Sequence, residues 1–107
     1  MGDRARFGVD VDQRNGSTVA HVAGDLDLAT ALQFEDALAG AAPAPHVVID
    51  LTECTLVDST GMRLIASTVR DADRVSVVAT DPGILRVLEI TAMDTMVAVH
   101  PTVDAAL

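Results

Sequence analysis

Lysine, tryptophan and tyrosine are absent from this sequence, and its 107 residues include a single Cys and only two Phe. Cys54 has no second cysteine with which to form an intramolecular disulfide. Because Phe7 and Phe34 supply the only aromatic area, we expect an aliphatic core. No apolar run approaches the roughly 18 residues that span a bilayer. Residues 1–4 lack the apolar segment of a secretory signal, so we expect a cytoplasmic protein that does not enter a membrane.

Basic charge is also scarce. The seven basic side chains are all Arg and face 16 acidic ones, which gives a formal charge of −9. This balance argues against a nucleic-acid surface or an anionic membrane as partner, and favours a partner with a basic face. The absence of Lys also excludes a phospho-aspartate receiver domain, which needs a Lys near its last strand. Exclusive use of Arg is typical of a GC-rich bacterial genome.

The length is that of one domain, which we place at residues 1–107. Asn15-Gly16 separates two alternating apolar runs and predicts a β-hairpin. After the hairpin, segments in which apolar residues recur at every second position, as in strands, alternate with segments in which they recur every three to four positions, as in helices. We expect strands around residues 7–11, 18–23, 47–51, 75–79 and 96–99. We expect a first helix whose apolar face consists of Ala31, Phe34, Leu38 and Ala41, and a second whose apolar face consists of Met62, Ile65, Val69 and Ala72. A third helix should follow Asp81-Pro82, and a short one should lie within residues 101–107.

An N-terminal hairpin followed by strand-helix alternation predicts an α/β fold with a mixed β-sheet, parallel in its later part. In such sheets functional residues tend to lie beyond the carboxyl ends of the strands. Asp27 and Ser59 both follow strand ends, so we expect them to lie close together. Either Asp58 or Ser59 caps the second helix, where free backbone N–H groups also favour an added phosphate.

Two motifs carry a family resemblance. The stretch VVIDLTECTLVDSTGM, which ends at Met62, and the stretch VAGDLD, which ends at Asp27, resemble the two characteristic motifs of the STAS domain, the family of anti-sigma factor antagonists. The resemblance covers nearly the whole chain. It implies a single STAS domain with helices mainly on one face of the sheet. Arg63 and Ala92-Met93 depart from the family pattern and leave the identity of the partner open.

The resemblance implies a switch based on phosphorylation. Ser59 occupies the position of the phosphoacceptor, and Thr60 is the second candidate. In the family, the unphosphorylated antagonist binds an anti-sigma factor, usually a serine kinase, and so frees a sigma factor to regulate transcription. The kinase phosphorylates the antagonist and ends the binding, and a phosphatase restores it. The alternative is a STAS scaffold that is not phosphorylated, or an accessory subunit of a signalling or transport complex.

Five further residues are expected to shape the loop and the partner surface: Asp27, Asp58, Gly61, Met62 and Arg63. Asp58 holds the loop, and Met62 is an apolar contact on the exposed first helical turn. Gly inside a helical turn costs up to about 1 kcal/mol relative to Ala. We therefore expect Gly61 to be needed for close approach of the partner, and Gly61→Ala to leave the stability equal or higher.

Enzyme activity is not expected. A nucleophilic Ser needs a positioned base, and His21, His46 and His100 are more typical of strand or loop residues. Neither the histidines nor Cys54 has the spacing of metal ligands, so no metal site and no cofactor is predicted. Cys54 is expected in a turn between strand and motif, as a small side chain at least half-buried.

Overall fold

The structure, a computed structural model, describes residues 7–40 and 45–107; the predictions made for residues 1–4 and for Ala41 lie outside these ranges. The elements are β1 (Gly8–Arg14), β2 (Ser17–Leu26), α1 (Ala31–Ala39), β3 (His46–Val57), α2 (Ser59–Asp71), β4 (Arg74–Val78), α3 (Pro82–Ile90), a 3-10 helix (Met93–Thr95), β5 (Ala98–His100) and α4 (Val103–Ala106). None of the helices in these ranges is both long and apolar enough to cross a bilayer.

The predicted hairpin is confirmed. β1 and β2 pair antiparallel, with Arg14 opposite Ser17. Asn15 and Gly16 both have positive φ angles, of 54° and 80°. Two consecutive residues of this kind form the type I′ turn, whose twist matches that of the flanking strands, and Asn-Gly is the pair that adopts it most readily.

The remaining strands pair in parallel, so that the sheet has the order β1-β2-β3-β4-β5. When each right-handed crossover adds the next parallel strand on the same side of the previous one, the crossover helices all lie on the same face of the sheet. Accordingly α1, α2 and α3 share one core with the sheet, and the short α4 covers the other face. The first core includes Phe34, Ile49, Leu51, Ile65 and Leu88; the second includes Val19, Val48, Val78 and Ala106. The predicted α/β class and the one-sided arrangement of the helices are both confirmed.

β3 is longer than predicted, because the expected polar turn after Leu51 is part of the strand. Two β-bulges each insert one residue into β3 opposite β2, between Asp50 and Glu53 and between Cys54 and Leu56. A bulge interrupts the alternation of side chains between the two faces of the sheet, while the hydrogen-bonded pairing of the two strands continues on either side of it. Cys54 is therefore a strand residue and not a turn residue, although its predicted burial is confirmed.

β5 is shorter than predicted. The backbone N–H groups of Met96 and Val97 both donate to the carbonyl of Met93, at 2.9 and 3.1 Å. These bonds make residues 93–97 a turn, so that the strand begins only at Ala98. Val97 is buried although it precedes the strand, so its apolar character did not mark the start of β5.

Candidate functional site

The carboxyl ends of β2 and β3 lie side by side. Leu26 and Val57 are partners in the parallel ladder, and the next residues along each chain segment are Asp27 and Asp58. The backbone N–H of Asp58 donates to the carbonyl of Leu26 at 3.2 Å. The start of α2 is thereby fastened to the end of β2, and the two loops that carry the predicted site share one edge of the sheet.

Asp58 caps α2. Its backbone is extended, with φ −92° and ψ −172°, and its carboxylate accepts a hydrogen bond from the backbone N–H of Gly61 at 2.9 Å. Its carbonyl accepts the first helical bond, from Met62, also at 2.9 Å. This is the N-cap geometry, in which a short acceptor satisfies one of the free N–H groups of the first turn. Of the two candidates for the cap, the structure selects Asp58, which leaves Ser59 as the first helical residue.

The side chains of Ser59 and Thr60 differ in access. Ser59 is exposed, whereas Thr60 is half-buried. The Ser59 hydroxyl makes no hydrogen bond to any residue in the described part of the chain. It lies at the positive end of the helix dipole, where negative charge is favoured. Of the two predicted acceptor hydroxyls, that of Ser59 is the more accessible.

Gly61 is buried against its own chain. A Cβ atom added there would lie 2.5 Å from the carbonyl oxygen of Leu26 and 2.9 Å from Cγ1 of Val57. Backbone atoms do not approach so closely without a shift, so Gly is required to seat α2 on the end of β2. The expectation that Gly61→Ala leaves stability equal or higher is therefore wrong, because the space beside Gly61 is occupied by Leu26 and not by solvent.

Met62 and Arg63, which are neighbours on α2, differ in exposure. Met62 is 7% exposed and packs in the main core. The prediction that it offers an apolar contact on the exposed first turn is wrong, because its position along the helix turns it toward the sheet. Arg63 is exposed. Of this pair, only Arg63 remains a candidate for contact with a partner.

Asp27 organises the loop between β2 and α1. Its carboxylate accepts hydrogen bonds from the backbone N–H groups of Ala29, at 3.0 Å, and of Thr30, at 3.3 Å. The Thr30 hydroxyl in turn donates to the carbonyl of Asp25 at 2.7 Å. This Asx turn fixes the direction in which the chain leaves β2 and enters α1.

Asp25 and Thr55 also belong to this edge, although neither was among the residues predicted for the site. The Thr55 hydroxyl donates to the carboxylate of Asp25 across the second bulge. Asp25 lies inside the VAGDLD motif, whereas Thr55 is the residue inserted by the second bulge, next to Leu56, which pairs with Asp25. Asp25, Asp27 and Asp58 together make the edge strongly acidic.

His46 lies in a different part of the molecule. His46 is buried at the start of β3, with Nδ1 2.9 Å from Ser17 Oγ and Nε2 2.9 Å from Ser76 Oγ. Burial, followed by the charges of Arg74 and His100, lowers its pKa. Both hydroxyls are buried, so neither is positioned to attack a substrate.

His21 is hydrogen-bonded to Asp50, whose carboxylate oxygen lies 2.7 Å from Nδ1. The other carboxylate oxygen of Asp50 accepts from the backbone N–H and the hydroxyl of Thr52, at 3.0 and 2.8 Å. Within residues 7–40 and 45–107, no group of three or more His, Cys, Asp and Glu side chains is arranged to hold a metal ion. Burial raises the pKa of the Cys54 thiol, which disfavours the reactive thiolate.

These features define a small α/β domain that exposes one serine on an acidic edge of its sheet. The sequence model of the family described as "Mlab, STAS domain" matches residues 9–98. The chain therefore belongs to the STAS domain family, as its two motifs predicted. A comparison with curated protein sequences finds no similar protein.

Solved structures share the fold. An anti-sigma factor antagonist from Mycobacterium paratuberculosis is 29% identical, with a TM-score of 0.88 over 94% of this chain and 91% of that one. The unphosphorylated form of the anti-sigma factor antagonist SpoIIAA is 15% identical, with a TM-score of 0.72 over 92% of both chains. The protein TM1081 is 15% identical, with a TM-score of 0.70 over 90% of this chain and 82% of that one. The last two likenesses concern the fold alone.

Proposed function

We propose that this protein is an anti-sigma factor antagonist that binds its anti-sigma factor while Ser59 is unphosphorylated and releases it once Ser59 is phosphorylated. The observation that carries the proposal is the exposed Ser59 hydroxyl at the start of α2, beside the cap Asp58. The similarity to an antagonist of known structure at 29% identity supports the same role. The anti-sigma factor is a serine kinase that modifies Ser59, binding to it frees a sigma factor in the bacterial cytoplasm, and a phosphatase reverses the modification.

The chemistry of Ser59 accounts for the switch. A phosphoryl group adds a charge of about −1.5 to −2 and three acceptor oxygens. The free N–H groups of the first turn of α2 accommodate it without a rearrangement of the helix. A kinase must hold the phosphates of its nucleotide against the Ser59 hydroxyl, so after transfer the phosphoserine faces the remaining phosphates. Repulsion between like charges, together with the carboxylate of Asp58, then weakens the complex.

Intact-mass spectrometry with fragment mapping tests the acceptor. The protein is incubated with ATP and, in turn, with each candidate anti-sigma kinase of its own genome. We expect a single added phosphate on Ser59, its loss in Ser59→Ala, and its retention in the matched control Thr60→Ala. A phosphate on Thr60 would contradict the assignment of Ser59. Absence of phosphate together with stable binding to a partner that is not a kinase would favour the scaffold or accessory-subunit alternative.

Charge variants at position 59 test the switch itself. Ser59→Asp should weaken binding to the anti-sigma factor at least tenfold, because it places a negative charge where the phosphoryl group forms. Ser59→Asn is the matched control, since it has nearly the same size without the charge, and Ser59→Ala should bind permanently even in the presence of ATP. Isothermal titration calorimetry gives the three dissociation constants. Equal affinities for the Asp and Asn variants would contradict an electrostatic switch.

A further inference from the structure

The two most exposed leucines in the described part of the chain lie beside the edge that carries Ser59. Leu28 is 76% exposed and Leu32 is 72% exposed. Leu28 lies in the turn that joins the end of β2 to α1, and Leu32 lies in the first turn of α1. Since the end of β2 is bonded to the start of α2 through Leu26 and Asp58, both leucines lie on the edge of the sheet to which Ser59 belongs.

The polar residues next to these leucines along the chain all carry negative charge or none. Asp25 and Asp27 precede Leu28, and Glu35 and Asp36 are exposed one helical turn beyond Leu32, on the same side of α1. The sequence contains no Lys or Arg between residues 15 and 62. The leucines therefore form an apolar patch with an acidic rim.

We propose that Leu28 and Leu32 are the apolar anchors of the antagonist for its anti-sigma factor, and that the partner meets them with an apolar pocket rimmed by Arg or Lys. This inference rests on the proposed function. It assigns to the loop after β2 and to α1 the apolar contact that the buried Met62 does not provide. Anchors of this kind carry much of the energy of an interface, while charges around them set the association rate and exclude wrong partners.

The helical part of the acidic rim and the site of phosphorylation lie on different helices. The acids Glu35 and Asp36 lie on α1, whereas Ser59 begins α2. A partner therefore presents basic side chains over α1 and the phosphates of its nucleotide over the start of α2. Phosphorylation of Ser59 changes the charge at the start of α2 and leaves the charge of the rim on α1 unchanged.

Two exposed apolar residues at the opposite end of the molecule provide a matched control. Ile90 is 68% exposed and Met96 is 61% exposed. Ile90 is the last residue of α3, which begins beyond the carboxyl end of β4 and runs back along the sheet, and Met96 precedes the start of β5. Both thus lie at the amino ends of the parallel strands, away from Ser59, with exposure similar to that of the two leucines.

The test compares single variants of the full chain in calorimetric titrations against the anti-sigma kinase that phosphorylates Ser59. Leu28→Gln and Leu32→Gln should each raise the dissociation constant about tenfold or more, whereas Ile90→Gln and Met96→Gln should change it less than twofold. Because all four side chains are exposed, circular dichroism should show the fold of the parent in every variant. Parent-like affinity of both leucine variants would overturn this inference.

The charge of the rim is tested by the salt dependence of the same titration. Affinity of the parent should fall as NaCl rises from 50 to 300 mM, and the double variant Glu35→Gln, Asp36→Gln should show a shallower dependence, since exposed charge pairs are screened by salt. Identical dependence would overturn the proposal of a basic rim. If both leucine variants bind like the parent while Ser59→Asp still weakens binding, only the anchor proposal fails. If no anti-sigma factor binds the parent, both proposals fail.

Discussion

Packing against other residues of the same chain explains why residue 61 is Gly. From the sequence, the Gly in the first turn of this helix was expected to allow close approach of a partner. The carbonyl of Leu26 and the side chain of Val57 occupy the space that a Cβ atom would need. Ala is favoured in a helix by up to about 1 kcal/mol over Gly, but a forced shift of packed backbone typically costs about 1–3 kcal/mol. The clash is therefore the larger effect.

We predict that Gly61→Ala lowers the free energy of unfolding by about 1–2 kcal/mol, as measured by urea denaturation. Gly8→Ala is the matched control, because a Cβ atom at Gly8 meets nothing within 4 Å, and its stability should equal or exceed that of the parent. A Gly61→Ala variant as stable as the parent would show that α2 moves away from β2 at little cost.

One side chain, that of Asp58, determines where α2 begins. The chain leaves β3 at Val57, and the carboxylate of Asp58 satisfies the N–H of Gly61 at 2.9 Å. Ser59, next along the chain, contributes no bond to the cap. Stability of the helix start and access to the Ser59 hydroxyl are thus provided by two different residues, so that modification of Ser59 leaves the cap in place.

Asp58→Ala should lower the free energy of unfolding by about 1 kcal/mol, the usual cost of losing a capping side chain. Ser59→Ala should change it by less than about 0.5 kcal/mol, as is typical of an exposed position without partners. Asp81→Ala provides a comparison, since Asp81 caps α3 through the N–H of Ile84 at 3.1 Å. The prediction fails if thermal or urea unfolding finds that Ser59→Ala is the more costly of the two changes at the start of α2.

Across the whole molecule, His46 links three strands at the edge opposite the candidate site. Its two ring nitrogens are hydrogen-bonded to Ser17 of β2 and Ser76 of β4. Burial is the main cause of its lowered pKa, and Arg74 and His100 add to it. The folded protein therefore holds His46 neutral at a pH where the unfolded chain, with a pKa near 6.5, already binds a proton. Stability is highest above that pH and decreases as the pH falls through it.

We predict that the free energy of unfolding of the parent falls between pH 7.5 and pH 5.5, and that the profile of His46→Gln is flatter over the same range. His21 and His100 are present in both proteins, so the difference between the two slopes reports the loss of His46, including its interaction with His100. Urea denaturation at five pH values measures both slopes. Parallel profiles would show that protonation of His46 is not linked to folding, whatever the absolute stability of the variant.

The residues that the sequence identified correctly are those whose role is local. The Asn15-Gly16 hairpin, the order of strands and helices, and the helix start at residues 58–59 all follow from near neighbours along the chain. The same patterns did not predict the two bulges of β3, since each depends on the register with β2. Apolar spacing correctly grouped Met62 with Ile65 on one face of α2, but its role as an exposed contact was inferred from its closeness to Ser59 and is wrong.

By itself the sequence determined the α/β class, the mixed sheet and the position of an acid and two hydroxyls at the beginning of a helix. Turn geometry, apolar periodicity and capping involve residues within about four positions of one another, so a sequence displays them directly. Only the tertiary structure decided that Asp58 and not Ser59 is the cap, that Leu26 requires Gly61, and that Leu28 and Leu32 remain exposed near Ser59. The second and third of these depend on how segments far apart along the chain pack together, as Gly61 does with Leu26. The first depends on the extended backbone of Asp58, which directs its carboxylate to the N–H of Gly61. A sequence pattern shows neither a packing distance nor a backbone angle.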